Sequence, residues 1–247
     1  MSADTSPSAT GEFVDRLAAT GAIVPGSTSQ PVLLQAGRVR VRPISPAAAV
    51  AELVRWIALR PARGRAVRVL MDGAPAAEPG GWADALVEPL RLLGRPVLRA
   101  SATDFLRPAS LRLEYGRRNP HSLLVGWFDH GALRRELLDP LGDGGSGRVL
   151  LRWWDAETDR SARADYVTVL DGAVLVLDGS LLLGAGLPAE LTVHLHLSDG
   201  ALRRRTPPDQ EWTLPAYRQY AAQAHPAESA DVVLLVDHPA RPALAVP

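Results

Sequence analysis

The segment from Met71 to Gly80 has the position of a phosphate-binding loop but lacks the residues that such a loop needs. A working loop reads G-x-x-x-x-G-K-[ST]: its backbone N–H groups cradle the phosphates, its lysine reaches the β- and γ-phosphates, and its hydroxyl holds magnesium. Counting from Gly73, the last three positions are Glu78, Pro79 and Gly80. A carboxylate, a proline without an N–H and a glycine without a hydroxyl all oppose binding of a magnesium–nucleotide complex. We therefore expect no cofactor, because ATP and Mg²⁺ should not bind productively.

The overall composition excludes several other classes of site. Arginine supplies all 27 positive charges and acidic residues supply 27 negative ones, so no basic excess predicts a nucleic acid or membrane partner. The chain has no cysteine, which excludes disulfides, thiolate nucleophiles and cysteine-based metal sites. No apolar run approaches the ~20 residues that span a bilayer, and the N-terminus lacks a secretory signal pattern. We expect a cytoplasmic protein.

Strand and helix patterns alternate along the chain and predict an α/β fold, a mainly parallel sheet with helices on both faces. Residues 1–36 are rich in Ser, Thr, Pro, Ala and Gly and predict a flexible extension, whereas residues 37–247 form the α/β domain. Strands are predicted near Val39–Val41 and at Val67–Met71, Val97–Ala100, Val149–Trp153, Val174–Leu177, Leu191–Leu197 and Val232–Val236. Helices are predicted from Pro46, which follows the N-cap Ser45, through Ile57, at Trp82–Leu93 with a kink at Pro89, and at Ala132–Leu141.

Motifs at the ends of these predicted elements follow one another in a familiar order. They are Asp72–Gly73 with Ala83–Leu86, Gly94–Ser101 with Asp104–Pro108, Phe128–His130 with Ala132–Gly142, Asp178–Gly179 with Leu181–Leu183, and Ala230–Val233 with Asp237–Pro239. Together they resemble the uridine kinase-like branch of the P-loop nucleoside kinases, from about Pro43 to Leu244. The resemblance implies a P-loop kinase fold with a degenerate phosphate loop. It implies less about activity, because function depends on the site and not on the fold.

The resemblance also implies that the general base for the nucleoside hydroxyl is lost. The first acid of the family's D-D-F-H-like motif matches Thr103, the second matches Asp104, and the histidine matches Leu106. Threonine cannot accept a proton at neutral pH. A shift of register would allow Asp104 to act as the base if it lies within hydrogen-bond reach of the substrate. Otherwise Asp104 is a carboxylate that caps a turn or a helix.

The residues that would hold the substrate match the family's pattern better than the loop does. Asp129 resembles the aspartate that holds the ribose hydroxyls, because a carboxylate can accept two hydrogen bonds from a cis-diol. Trp154 matches an aromatic residue near the base, with ordinary core packing as the alternative. Asp159 replaces a hydrogen-bonding imidazole in the same segment. Asp178 matches the acidic residue at a strand end near the phosphates, where Gly80 leaves no hydroxyl to share a magnesium ion with it.

Basic side chains provide further candidates. His121 lies on a predicted loop where the family contacts substrate, and Arg107 lies in the substrate-side motif. The stretch Ala201–Asp209 matches the arginine-bearing lid and keeps three arginines, which bind an anion or form a solvated basic face. His194 and His196 alternate on a predicted strand and therefore face one side. They are either structural histidines or part of a metal pair without an evident further ligand, and we predict no metal site.

Three hypotheses follow. The leading one is a pseudokinase that keeps a pocket for a nucleoside-like or polyhydroxylated metabolite, and that supports non-kinase chemistry through acid/base groups at Asp72, Glu78, Asp104, His121 and Asp129. The second is a non-catalytic regulatory subunit, acting as a homo-oligomer or with a paralogous partner. The third is an unorthodox ATP-dependent nucleoside kinase whose phosphate site uses arginines such as Arg107 and Arg203.

Overall fold

The computed structural model describes residues 40–246, and a seven-stranded sheet lies at the centre of this part of the chain. The strands are β1 (Arg40–Pro43), β2 (Ala66–Gly73), β3 (Val97–Ser101), β4 (Arg148–Val149), β5 (Trp154–Asp155), β6 (Arg160–Ser161), β7 (Val167–Thr168), β8 (Ala173–Gly179), β9 (Leu191–His196), β10 (Val232–Leu235) and β11 (Ala243–Val246). The order in the main sheet is β1-β11-β10-β9-β2-β8-β3. The last five strands in this order run parallel, while β1 and β11 pair antiparallel at one edge. The predicted mainly parallel sheet is confirmed, and the predicted extension 1–36 lies outside the described residues.

The predicted strand Val149–Trp153 is wrong. Only β4 reaches Val149, where it pairs with β7, and the separate hairpin β5–β6 begins at Trp154. Between them, the backbone N–H of Leu150 donates to Glu136 and that of Trp153 donates to Asp104. The apolar side chains of this segment cover the core from an irregular backbone. A short apolar run specifies burial, but its pattern alone does not specify a strand.

Helices cover both faces of the sheet, as predicted. They are α1 (Pro46–Leu59), α2 (Pro79–Leu92), α3 (Ala109–Arg112), α4 (Pro120–Gly126), α5 (His130–Ala132), α6 (Asp199–Arg205), α7 (Leu214–Ala224) and α8 (Pro226–Ser229). The side chain of Ser45 accepts a hydrogen bond from the Ala48 N–H, which confirms the predicted N-cap of α1. Within residues 40–246, no helix has the length and apolar character required to cross a membrane.

The predicted helix Ala132–Leu141 exists, but it is not a regular α-helix. It continues α5 as a π-helix over Leu133–Leu138 and ends as a 3-10 turn over Asp139–Leu141. The wider turn places three leucines of this segment, Leu133, Leu137 and Leu138, entirely inside the core. Apolar spacing predicted a helical segment, while the type of helix depends on how that segment packs.

The two faces of the sheet carry two separate apolar layers. Strand β2 is buried along its whole length, as expected for a central parallel strand. Its residues Val67, Val69 and Met71 face α1 and α2, whereas Ala66 and Leu70 face the other layer. Because side chains alternate along a strand, Asp72 points toward the second layer, with Leu70.

An ion pair is buried on this second face. The Nη2 of Arg68 lies 2.7 Å from the Oε1 of Glu190, and their side chains are 9% and 4% exposed. Arg68 also donates from its backbone N–H and its Nε to the other carboxylate oxygen, and from its Nη1 to the Leu138 carbonyl. These contacts connect β2 to the segment before β9 and to the π-helix.

Removing one partner of this pair should destabilise the protein strongly. We expect Arg68→Met to lower the free energy of unfolding by about 3–5 kcal/mol, because it leaves the carboxylate of Glu190 buried without a cation. Replacing both partners, as Arg68→Met with Glu190→Leu, should recover most of that loss. Urea unfolding followed by circular dichroism measures both effects. Arg65→Ala is the control, since its ion pair with Asp171 is exposed and should contribute at most ~1 kcal/mol; an equal loss in Arg68→Met would contradict the prediction.

Candidate functional site

The segment between β2 and α2 has the position of a phosphate-binding loop. Part of its backbone is hydrogen-bonded within the loop itself. A 3-10 turn covers Pro75–Ala77, in which the N–H of Ala77 donates to Ala74 and the N–H of Glu78 donates to Pro75. Pro75 and Pro79 have no N–H to offer. Phosphate-binding loops work through free backbone N–H groups that point at the ligand, and several of those donors are used internally or missing here.

Glu78 connects this loop to α6. It adopts a left-handed backbone conformation (φ 58°) and its side chain does not cap α2. Instead, its Oε1 lies 3.3 Å from the Nη2 of Arg205, the last residue of α6. Arg205 also donates to the carbonyl of Val236 at 2.7 Å, just beyond β10. The arginine of α6 that reaches the loop is therefore Arg205, and not Arg203, which the sequence analysis named.

Gly73 and Gly80 have different roles at the two ends of the loop. A side chain at position 73 would meet the Cβ of Leu195 at 3.0 Å, so the glycine there allows the loop to pack directly on β9. A Cβ at position 80 would lie 3.5 Å from the Oδ2 of Asp178 and 3.9 Å from the Nη2 of Arg99. Gly80 thus lies next to the acidic strand end at Asp178, with Arg99 beside both.

Arg99 fills the space between the start of α2 and the end of β8. Its Nη1 lies 2.7 Å from the Oδ1 of Asp178, its Nε lies 2.8 Å from Asp84, and its Nη2 donates to the Gly80 carbonyl at 3.3 Å. In a working loop, the hydroxyl and the magnesium ion occupy this region. Sequence reasoning missed Arg99. The available signal was a charged residue inside the predicted strand Val97–Ala100, one strand away from Asp178.

Asp104 lies in a 3-10 turn, Ala102–Phe105, directly after β3. Its carboxylate is 3.2 Å from the Nε of Arg152. Burial raises the pKa of Asp104, Arg152 opposes that shift, and the neighbouring charges of Asp178 and Asp155 add to it. Thr103, in contrast, is exposed and its hydroxyl lies 2.9 Å from that of Ser101. Of these two neighbours, Asp104 is the group that can exchange a proton.

Backbone links bring several predicted substrate residues into one region. The N–H of Arg107 donates to Trp127 and the N–H of Asp129 donates to Phe105, each at 2.8 Å. A further bond, from Trp153 to the Asp104 carbonyl at 3.0 Å, adds the strand that begins at Trp154. The other segments that were predicted to hold a substrate are therefore hydrogen-bonded to the turn after β3 and to the residues that follow it.

Two carboxylates of this region also support the local fold. The Oδ1 of Asp129 accepts the N–H of Ala132 at 2.8 Å and so caps α5. The Oδ1 of Asp159 accepts hydrogen bonds from the N–H of Ala109 and from the indole N–H of Trp154. Those bonds, with Ala109 contributing most, lower the pKa of Asp159. Asp159 therefore fastens the β5–β6 hairpin to α3.

His121 is not on a loop. It lies exposed in the first turn of α4, whose N-cap is Asn119. Next to Asp129, however, His130 is half-buried, and its buried Nε2 has no hydrogen-bond partner among the described residues. Burial lowers the pKa of His130, which keeps the ring neutral. Sequence reasoning did not select His130, although it named the motif Phe128–His130.

A cavity of about 560 Å³ lies on the other side of the loop, beside β9, α6 and α7. Its lining includes His194, Tyr217 and Tyr220, and it contains none of the substrate-side residues described above. The buried carboxylate of Asp72 lies behind it, 2.7 Å from the Nδ1 of His194 and 3.0 Å from the hydroxyl of Tyr220. The rings of His194 and His196 are 6.0 Å apart, so the two histidines do share a face. Within residues 40–246, no three histidine or acidic side chains form a group that could hold a metal ion.

Solved structures of kinases resemble this chain over three quarters of its length. A possible uridine kinase from Bacillus stearothermophilus aligns with a TM-score of 0.61 and 21% sequence identity, over 75% of this chain and 97% of that one. A candidate fructose transport system kinase from Silicibacter sp. TM1040 aligns with a TM-score of 0.50 and 19% identity, over 76% of this chain and 95% of that one. No family model matches the chain, and no curated protein does either.

At these identities, the comparison establishes the fold. The chain has the uridine kinase-like P-loop kinase fold that its motifs predicted, with the mainly parallel α/β sheet that belongs to it. The neighbours do not decide what the site does, because the same fold can carry sites of different chemistry.

Removing Arg99 should create a cation site. Without its guanidinium, the carboxylates of Asp178 and Asp84 lose their shared positive neighbour at the start of α2. We expect Arg99→Ala to bind Mn²⁺ with a dissociation constant on the order of 10⁻⁴–10⁻³ M, as for weak carboxylate sites. Electron paramagnetic resonance of free Mn²⁺ measures the binding. Arg91→Ala removes an exposed arginine near the end of α2 and is the control; equal Mn²⁺ binding by the two variants would contradict the prediction.

Proposed function

We propose that this protein does not transfer phosphoryl groups from ATP, and that it binds a nucleoside-like or polyhydroxylated metabolite on a P-loop kinase scaffold. The observation that carries this proposal is the position of Arg99, whose guanidinium contacts both the Gly80 carbonyl and the Asp178 carboxylate. A permanent cation of the chain itself stands where a kinase needs a magnesium ion that arrives with the nucleotide.

The charge at this place supports the first half of the proposal. Asp178 is largely buried and its charge is already balanced by Arg99 at 2.7 Å. A magnesium ion would have to displace that guanidinium and lose most of its water, which magnesium does reluctantly. Because Gly80 supplies no hydroxyl, the site lacks an oxygen ligand that would replace the water lost by the magnesium ion.

The loop itself supports the same conclusion. Pro79 stands where the phosphate-binding lysine belongs, and Glu78 adds a negative charge at the entrance. A triphosphate would meet this carboxylate, and the cation closest to it, Arg205, is already engaged by Glu78 and Val236. Anion binding at a helix start depends on free N–H groups and positive charge, and both are reduced here.

The substrate-side region supports the second half of the proposal. Asp129 uses one carboxylate oxygen for its helix cap, and its other oxygen is the one that we assign to a ligand hydroxyl. The neutral ring of His130 beside it has a buried nitrogen without a partner, which is the kind of group that a ligand satisfies. Trp154 offers a ring whose N–H is already held by Asp159, so that the ring is fixed in position.

Asp104 is the acid/base group that we assign to any chemistry at this region. Its raised pKa moves the carboxyl toward the range in which it both holds and releases a proton. It lies on the same turn that Asp129 and Trp153 attach to through the backbone. A proton could therefore pass between Asp104 and a hydroxyl of a ligand held by Asp129, without phosphoryl transfer.

Calorimetric titration tests both halves of the proposal. We expect no heat from Mg-ATP, and measurable binding of uridine or cytidine. Asp129→Asn should weaken nucleoside binding about tenfold, because a hydrogen bond to a charged group contributes roughly 1.5–3 kcal/mol, while the asparagine amide oxygen still caps α5. Asp139→Asn, at an exposed acid on the same helical segment, is the matched control and should bind normally.

Different results would contradict the two halves of the proposal. Micromolar binding of Mg-ATP to the unmodified protein would overturn the loss of the nucleotide site. Unchanged nucleoside binding in Asp129→Asn, or no binding of any nucleoside by the folded protein, would overturn the assigned metabolite region.

A further inference from the structure

The cavity beside β9 is separate from the region assigned to the nucleoside-like ligand. It has a volume of about 560 Å³, which is within the range that small-molecule sites occupy. Its apolar walls come from the loop after β8, from β9 and from the helices α6 to α8, and they include Leu181, Leu195, Leu197, Leu202, Tyr217 and Ala227. Such walls bury the apolar body of a ligand and leave few positions for polar contacts.

The polar group in this cavity is a histidine held by a buried carboxylate. Asp72 is completely buried and accepts three hydrogen bonds, from the N–H of Leu182, the hydroxyl of Tyr220 and the Nδ1 of His194. A carboxylate can only accept, so the Nδ1 of His194 carries the hydrogen. In this Nδ1–H tautomer, the lone pair of the ring is on the other nitrogen, Nε2.

Tyr220 keeps this arrangement in place. Its hydroxyl donates to Asp72 and accepts the N–H of Leu183 at 2.9 Å. Burial, together with the adjacent charge of Asp72, raises the pKa of Tyr220, so that the phenol keeps its proton and remains a donor. Asp72 and Tyr220 are thus positioning residues, which fix the tautomer and the orientation of the His194 ring.

The charges around the cavity are balanced in pairs. The Nε of Arg218 lies 3.0 Å from Asp199, and the Nδ1 of His225 lies 4.0 Å from Glu228. Burial lowers the pKa of His196 to about 4, so this second histidine is neutral at pH 7. No net positive charge is left to attract an anion such as a phosphate.

We infer that this cavity is a binding site for an uncharged molecule with an apolar body and one O–H or N–H group, which donates a hydrogen bond to the Nε2 of His194. The site goes beyond the proposed function, since it shares no residue with the assigned metabolite region. Its ligand differs from a nucleotide in having no phosphate, and from a sugar in being mainly apolar.

Three naphthalene probes of similar size test this inference. Their affinities are measured by equilibrium dialysis: 2-naphthol has the donor, 2-methoxynaphthalene lacks it, and 2-naphthalenesulfonate carries a charge. We expect 2-naphthol to bind about threefold to tenfold more tightly than 2-methoxynaphthalene, as for one net hydrogen bond. The sulfonate should bind most weakly. Equal affinity for the first two probes, tightest binding of the sulfonate, or no binding of 2-naphthol would each overturn the inference.

A pair of variants on α7 tests whether the probe binds in the cavity. Ala221 is exposed at the cavity wall, so Ala221→Trp should block the cavity without disturbing the core and reduce 2-naphthol binding at least tenfold. Gln223 lies two residues further along the same helix, is exposed and is not part of the lining. Gln223→Trp should bind 2-naphthol normally, and equal binding by the two variants would overturn the site.

His194→Asn isolates the hydrogen bond. The asparagine amide can still donate to Asp72, but it has no atom in the place of Nε2, so the preference for 2-naphthol over 2-methoxynaphthalene should disappear. Spectra of ¹⁵N-labelled histidine in the unmodified protein give an independent measurement that needs no variant. Among the six histidines, the Nε2 of His194 should show the lone-pair shift and should move on addition of 2-naphthol; an unmoved Nε2 would overturn the inference.

Discussion

The burial of two carboxylates at the ends of adjacent parallel strands is the constraint on which this structure depends. Asp72 and Asp178 are each the last residue but one of their strands, β2 and β8, and both are almost inaccessible to water. A buried carboxylate is tolerated only when hydrogen bonds or a cation stabilise its charge. The surrounding structure therefore has to supply donors at these two positions, and it does so in two different ways.

Asp178 is balanced by an arginine, and Asp72 is held by three hydrogen-bond donors. Arg99 reaches Asp178 from the neighbouring strand, and in doing so it contacts the start of α2. Asp72 instead receives an imidazole, a phenol and a backbone N–H. The same end of the sheet thereby carries an arginine–carboxylate pair on one side and a hydrogen-bonded carboxylate behind an apolar cavity on the other. The two arrangements share no side chain, so that the groups around Asp72 do not depend on Arg99.

Much of the fold could be predicted from the sequence, since the spacing of apolar residues in a strand or helix follows from which of its side chains are buried. The buried strands β2, β8 and β9 lie close to where their apolar runs predicted them, and Ser45 caps α1 as expected. The failures are local. Leu150–Trp153 was predicted as a strand but bonds to the π-helix and to the 3-10 turn after β3, and Leu133–Leu138 has helical spacing but forms a π-helix. Both outcomes depend on partners distant in the chain, which periodicity does not contain.

The sequence by itself determined which chemical groups are present and which are missing at the loop, because Pro79, Glu78 and Gly80 differ from a lysine-bearing loop whatever their surroundings. It also indicated the fold, through the order of its motifs. Only the tertiary structure decided which groups meet. Arg99 and Asp178 are 79 residues apart, and Asp72 and His194 are 122 residues apart. Their pairing follows from the parallel register of the strands and from side-chain packing, and neither is contained in local sequence spacing.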